Sequence, residues 1–91
     1  MQMEKDNALN LLNENRIEEA ISLLDTLIGQ HPEDDELYYL KGNACRKKTD
    51  WQGALQNYLE AMQRNEQSPA REAHRMLMEI LEFYNKDMYN H

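Results

Sequence analysis

Ninety-one residues allow one small domain with a modest core, and 41% apolar with 30% charged residues describes a chain that folds rather than stays disordered. A net charge of −7 works against a nucleic-acid backbone or an anionic membrane surface as the main ligand, because Lys and Arg hold both; a basic partner would be steered in. Three glycines, two prolines, no valine and an abundance of Leu, Glu, Gln, Met and Ala predict helix nearly throughout, an all-α fold.

Five helices are predicted in chain order. The first covers about 2–14. Asn15, with Glu18 three residues on, reads as the N-cap and partial capping box of a second helix over 16–28. Its apolar face is Ile17, Ala20, Ile21, Leu24, Leu27 and Ile28, the i, i+3, i+4, i+7 spacing of an amphipathic helix. Gly29 is expected to end it. "HPEDDE" then turns into a third helix over 35–48, with carboxylates at the positive N-terminal end and "RKK" (46–48) at the negative C-terminal end. Asp50 caps a fourth helix over 51–64, whose face is Trp51, Ala54, Leu55, Tyr58, Ala61 and Met62. "SP" at 68–69 opens a fifth over 69–88, with a stripe of Ala73, Leu77, Ile80, Leu81, Tyr84 and Met88.

The faces of the second and fourth helices match position for position at an offset of thirty-four residues, from 17 to 51 through 28 to 62. The same offset pairs Ala8 with Gly42 and Leu11 with Cys45. Glycine inside a helix costs roughly 1 kcal/mol relative to alanine. A small residue at this position in both halves is explained if each first helix crosses its partner closely there.

Chemistry-bearing patterns are sparse. No nucleophile has a recognisable base nearby, no glycine-rich phosphate loop occurs, and no His/Cys spacing suits a metal, so neither an enzyme nor a cofactor is expected. Cys45, the single cysteine, cannot form an internal disulfide and is expected to be a buried, inert thiol. The N-terminus lacks a basic n-region and apolar h-region, and no apolar run nears the ~20 residues that cross a bilayer. A cytoplasmic location is the expectation.

The thirty-four-residue helix–turn–helix period resembles the tetratricopeptide repeat, whose pattern is W-x2-L-G-x2-Y, then A-x3-F, then P. The pattern falls on Tyr38, Lys41, Gly42, Cys45, Ala54, Tyr58 and Glu66 in the second repeat, and on Glu4, Asn7, Ala8, Leu11, Ala20, Leu24 and Pro32 in the first. Asn7 and Lys41 stand in place of leucine, and Glu4 in place of the aromatic. The resemblance implies one domain, with repeats over about 1–34 and 35–68 and a capping helix over 69–88, wound as a short right-handed α-solenoid of antiparallel helices.

It also implies a non-catalytic scaffold that binds a peptide or helix of a protein partner on a concave face lined by the first helix of each repeat. The face would comprise Gln2, Lys5, Asp6, Leu9 and Leu12 with Glu36, Tyr39, Leu40, Asn43, Arg46 and Lys47, and with His74, Leu77 and Leu81 closing the far side. Some members of the family grip a C-terminal carboxylate with Lys, Asn and Arg. Here only Lys5 falls on a matching position, while Leu9, Leu40 and Ala70 occupy others, so no such clamp is expected. Asn43 and Arg46, one turn apart, are placed to hydrogen-bond an extended backbone. Tyr39 and Leu40 lie off the stripe of Tyr38, Gly42 and Cys45, so they pack between repeats or contact a ligand.

The alternative is self-association, or membership of a longer scaffold, because solenoids usually stack three or more repeats. A last helix of about 30 Å, against about 20 Å for its neighbours, would overhang. Phe83, Tyr84, Met88 and Tyr89 would then form a homodimer surface or be covered by folding back over helix ends.

Overall fold

The chain was described from a computed structural model, which covers residues 1–89, with side chains through Tyr84. Five α-helices make up the described residues: α1 (Gln2–Asn13), α2 (Ile17–Gln30), α3 (Asp35–Lys47), α4 (Trp51–Arg64) and α5 (Ala70–Tyr89). The all-α fold expected from composition is the fold observed. Each helix packs on the next along the chain, and α1 also touches α3.

The thirty-four-residue offset reaches the backbone hydrogen bonds between helices. After α1, the Asn15 N–H donates to the Leu12 carbonyl (3.0 Å) and the Arg16 N–H to the Leu11 carbonyl (2.8 Å). After α3, Thr49 donates to Arg46 (3.0 Å) and Asp50 to Cys45 (2.9 Å), the same two bonds thirty-four residues on. This nested pair closes a helix through one residue in the left-handed region. Asn15 and Thr49 are those residues, at φ 62° and 64°. Asn15 therefore ends α1 instead of capping α2. Arg16 stands at the cap of α2 with no side-chain bond, and the expected box with Glu18 does not form. The reason is local: Asn tolerates the left-handed conformation that the turn demands.

The caps expected at Asp50 and Ser68 are present: Asp50 Oδ1 accepts from the Gly53 N–H at 3.0 Å and Ser68 Oγ from the Ala70 N–H at 3.1 Å. Asp34 caps α3 in addition, its Oδ1 accepting from the Glu36 N–H at 3.1 Å. Gly29 does not end α2, which runs on to Gln30 with Gly29 at ordinary negative φ.

Ala20, Leu24 and Leu27 of α2 are buried, as are Ala54, Tyr58 and Ala61 thirty-four residues later on α4. Half-buried Ile28 and Tyr39 pack on both the Leu24–Leu37–Leu40 cluster and the Tyr38–Tyr58–Leu77 cluster, so the core is continuous between the two halves. Trp51 departs from the expected face and is 40% exposed.

Gly42 lies against the Tyr58 ring. A Cβ there would sit 2.5 Å from Tyr58 Cε1 and 2.6 Å from Cδ1, well inside van der Waals contact. Tyr58 is fully buried and its hydroxyl donates to Asn43 Oδ1 at 2.6 Å, so the ring has nowhere to retreat. Thirty-four residues earlier, Ala8 packs in one cluster with Leu24. The small residue on the first helix and the large one on the second change together, Ala with Leu and Gly with Tyr.

Candidate functional site

Helical spacing brings residues of α1 and α3 to one face of the molecule. Gln2, then Lys5 or Asp6, then Leu9 follow one another at three- or four-residue steps on α1. Asp35 or Glu36, Tyr39 or Leu40, Asn43, Arg46 and Lys47 do so on α3. Gln2, Lys5, Asp6, Leu9, Asp35, Glu36, Tyr39, Leu40 and Pro69 line one depression of about 200 Å3. Leu9, Leu12, Asn13, Tyr39, Asn43, Arg46 and Lys47 line a second of about 390 Å3. Leu9 and Tyr39 belong to both, so the two form one groove with an apolar waist. The N-terminal residues of both helices lie at one end and the C-terminal residues at the other, so α1 and α3 run parallel.

The lining residues play unequal parts. Leu12 and Leu40 are buried core residues that contribute little surface. Leu40 packs with Ala8, Leu24 and Leu37, between the halves of the molecule. Tyr39 is half-buried with its ring 6.1 Å from that of Tyr58, and Leu9 is 45% exposed. The Asn43 carboxamide oxygen is occupied by the Tyr58 hydroxyl, which leaves the amide N–H groups to donate elsewhere. Burial pushes the Tyr58 hydroxyl's pKa up, and this outweighs the opposing pull of Arg46.

Lys5 bridges the two helices at the acidic end: its Nζ lies 2.7 Å from Asp34 Oδ2 and 3.2 Å from Glu36 Oε1. Burial alone would make the ammonium a stronger acid, but the two carboxylates outweigh it and hold the pKa above the ordinary lysine value. Asp6 accepts from Gln2 Nε2 at 3.0 Å, and Asp35 Oδ2 accepts from Asn65 Nδ2 at 3.2 Å.

His74 does not join this groove. It lines a separate open hollow with Met62, Glu66, Arg71, Arg75 and Met78. Leu77 and Leu81 pack into the core and border a third hollow with Arg46, Trp51, Ile80 and Tyr84. On α5 the expected stripe is buried at Leu77 and half-buried at Ala73 and Leu81, whereas Ile80 and Tyr84 are 48% and 61% exposed, and neighbouring Phe83 is 62% exposed. Phe83 and Tyr84 meet edge to face, ring centroids 5.9 Å apart. Met88 and Tyr89, the other half of the expected self-association surface, lie outside the residues whose side chains are described.

Asp35, Asn13 and Pro69 are lining residues absent from the sequence-based set. The first two continue the helical spacing by one step (35 to 39, and 9 to 13) and were legible in it. Pro69 reaches the groove only because α5 starts beside α3. Cys45 is buried and free; burial pushes its thiol pKa up, and its Sγ accepts from Asn57 Nδ2 at 3.9 Å. Among the described residues, no group of three His, Cys, Asp or Glu side chains is placed to hold a metal ion, and no helix is long and apolar enough to cross a membrane.

No family model matches the chain, and no curated protein matches it. It is similar to the solution NMR structure of Bacteroides fragilis protein BF1650, with a TM-score of 0.87 and 48% identity over 99% of this chain and 91% of that one. With nearly half of its residues identical along almost the whole length of both chains, the protein belongs to the family of Bacteroides fragilis BF1650.

Proposed function

We propose that the protein is a non-catalytic binding module of tetratricopeptide type, a short solenoid of two repeats and a capping helix that holds a peptide segment of a protein partner between α1 and α3. The observation that carries this reading is the groove itself. Its waist exposes Leu9 and Tyr39, and polar and charged side chains surround them. Of the two depressions, one at about 200 Å3 lies below the roughly 300–1,000 Å3 that small-molecule sites occupy and the other at about 390 Å3 lies just inside it, sizes that suit single side chains of a peptide. The repeated turn hydrogen bonds and the matched Ala8–Leu24 and Gly42–Tyr58 pairs support the repeat reading. Met76, thirty-four residues after Gly42, is too large for the same close crossing, which suits α5 to a capping role.

The test is display selection of random twelve-residue peptides on the immobilised full chain, followed by binding measurements with Leu9→Ala and Tyr39→Ala. Leu9 is 45% exposed, so Leu9→Ala should change thermal unfolding little. Tyr39→Ala also removes core packing and should lower the midpoint, so binding is read well below it. In both variants affinity should fall at least tenfold. Peptides bound equally well by both variants would place the site elsewhere.

A second reading is favoured by α5. Met76, Ile80, Phe83 and Tyr84 are 45–62% exposed and line one hollow, a clustered apolar surface of the kind that marks interaction sites, and the occupant we assign is a second copy of the chain. Molar mass by light scattering over a hundredfold concentration range should then rise, and Phe83→Lys with Tyr84→Lys should abolish the rise. A constant monomer mass removes this reading.

A further inference from the structure

The two ends of the groove carry opposite charge. At the end built from the N-termini of α1 and α3, the lining residues include Asp6, Asp35 and Glu36 against Lys5, a net of two negative charges (one lysine against three carboxylates). At the other end Arg46 and Lys47 stand with Asn13 and Asn43 and no carboxylate, a net of two positive charges. Helix dipoles oppose this pattern by about half a charge per terminus, hence about one charge at each end for two parallel helices. The side chains outweigh the dipoles, and the groove remains polarised.

The floor between the ends is apolar at Leu9 and Tyr39, and Asn43, whose oxygen is taken by the Tyr58 hydroxyl, lines it with amide N–H groups that suit a ligand backbone offering carbonyls. A helix satisfies its own carbonyls, whereas an extended chain presents them. Resting on the peptide-binding reading above, we infer that the groove takes an extended segment of fixed charge order. Basic side chains meet Asp6, Asp35 and Glu36, an apolar side chain sits between Leu9 and Tyr39, and acidic side chains meet Arg46 and Lys47. The ten residues from Glu36 to Arg46 span roughly 15 Å of helix, which an extended segment covers in about four to five residues. Opposite charges on the ligand are therefore about that far apart in its sequence.

The experiment uses the full chain and the peptides enriched by display. A representative basic–apolar–acidic peptide is compared with its charge-swapped isomer, in which Lys and Glu exchange places on an unchanged backbone. Fluorescence anisotropy at low and high salt reads the affinities. The swap should weaken binding roughly tenfold at low salt, with a smaller effect at high salt, as expected for several solvent-exposed ion pairs. In a protein carrying Arg46→Gln and Lys47→Gln, both side chains exposed, replacing the peptide's acidic residues by Gln should no longer matter. Asp6→Asn should in the same way reduce the penalty for losing a basic residue, with Asp35 and Glu36 retaining the remainder.

Enriched peptides that need Leu9 and Tyr39 but bind within twofold after the swap would overturn the charge order while leaving the groove reading intact. A charge spacing of about ten residues would overturn the extended geometry. Peptides indifferent to Leu9 and Tyr39, or no enrichment, would overturn the groove reading itself.

Discussion

Gly42 and Tyr58 show how one pair of positions sets a helix crossing. Replacing Gly42 with alanine gains up to ~1 kcal/mol of helix propensity but drives a methyl group into a buried ring whose hydroxyl is already held. Overpacking of this kind costs about 1–3 kcal/mol, so after the propensity gain Gly42→Ala should destabilise by up to about 2 kcal/mol in urea unfolding. Adding Tyr58→Leu, which copies the Ala8–Leu24 pair of the first half, should make the second alanine far better tolerated. A coupling below about 0.5 kcal/mol in the double-mutant cycle would show that the ring is not what excludes the methyl. Cys45 belongs to the same core. With its thiol buried and its pKa pushed up, reaction with a disulfide reagent at neutral pH should be negligible in the native protein and complete in denaturant. Fast labelling without unfolding would contradict the burial.

The elements are delimited by turns that the two halves share. Thr49 is the costly one, because a β-branched residue at φ 64° occupies a conformation that L-residues other than Asn and Asp rarely adopt. Thr49→Gly should raise stability by about 1 kcal/mol, and Asn15→Gly by less; a loss at Thr49 would mean that its side chain contributes contacts worth more than the strain. Asp50→Ala removes the carboxylate that accepts from Gly53 and should cost about 1 kcal/mol, seen as a lower thermal midpoint. The α2–α3 loop is held from further along the chain. The Pro32 carbonyl accepts from the Tyr38 hydroxyl at 2.9 Å and from Arg64 Nε at 2.6 Å, and the Arg64 guanidinium lies 4.1 Å over the Tyr38 ring. This links the end of α4 to the start of α3.

At the scale of the molecule, α1 is fastened to the second half by Lys5 as well as by apolar contact. The Lys5 pKa is raised in the folded state, so its pairing with Asp34 and Glu36 stabilises fully below the unfolded value near 10.5 and fades as pH rises through the higher folded value. Lys5→Met should therefore lower stability at pH 7 by up to about 1 kcal/mol. It should also flatten the loss of stability that the parent shows above about pH 10. An unchanged alkaline profile would mean that the pair adds nothing. The same lysine occupies the acidic end of the groove, so its engagement by two carboxylates also leaves it poorly placed to grip a ligand carboxylate.

Periodicity alone determined that the chain is helical throughout, that it divides at thirty-four residues, and which faces of α2 and α4 are buried. Each of these follows from side chains a few residues apart on one helix, where spacing dictates which of them share a face. The groove set was partly legible for the same reason, since α1 and α3 each present a run of three- and four-residue steps. What lay beyond the sequence depends on contacts between distant segments. Asn15 reads as a cap by type, yet the turn places it at the end of α1 in a left-handed conformation. Leu12 and Leu40 share a helix face with Leu9 and Tyr39, but Leu12 packs with Ala20 and Ala44, and Leu40 with Ala8, Leu24 and Leu37, which buries them. His74 sits at a plausible spacing on a helix whose angle turns it to another surface. Only the parallel placement of α1 and α3 puts Asp6 beside Glu36 at one end and Asn13 beside Arg46 at the other, because charge along a groove is a property of two helices together.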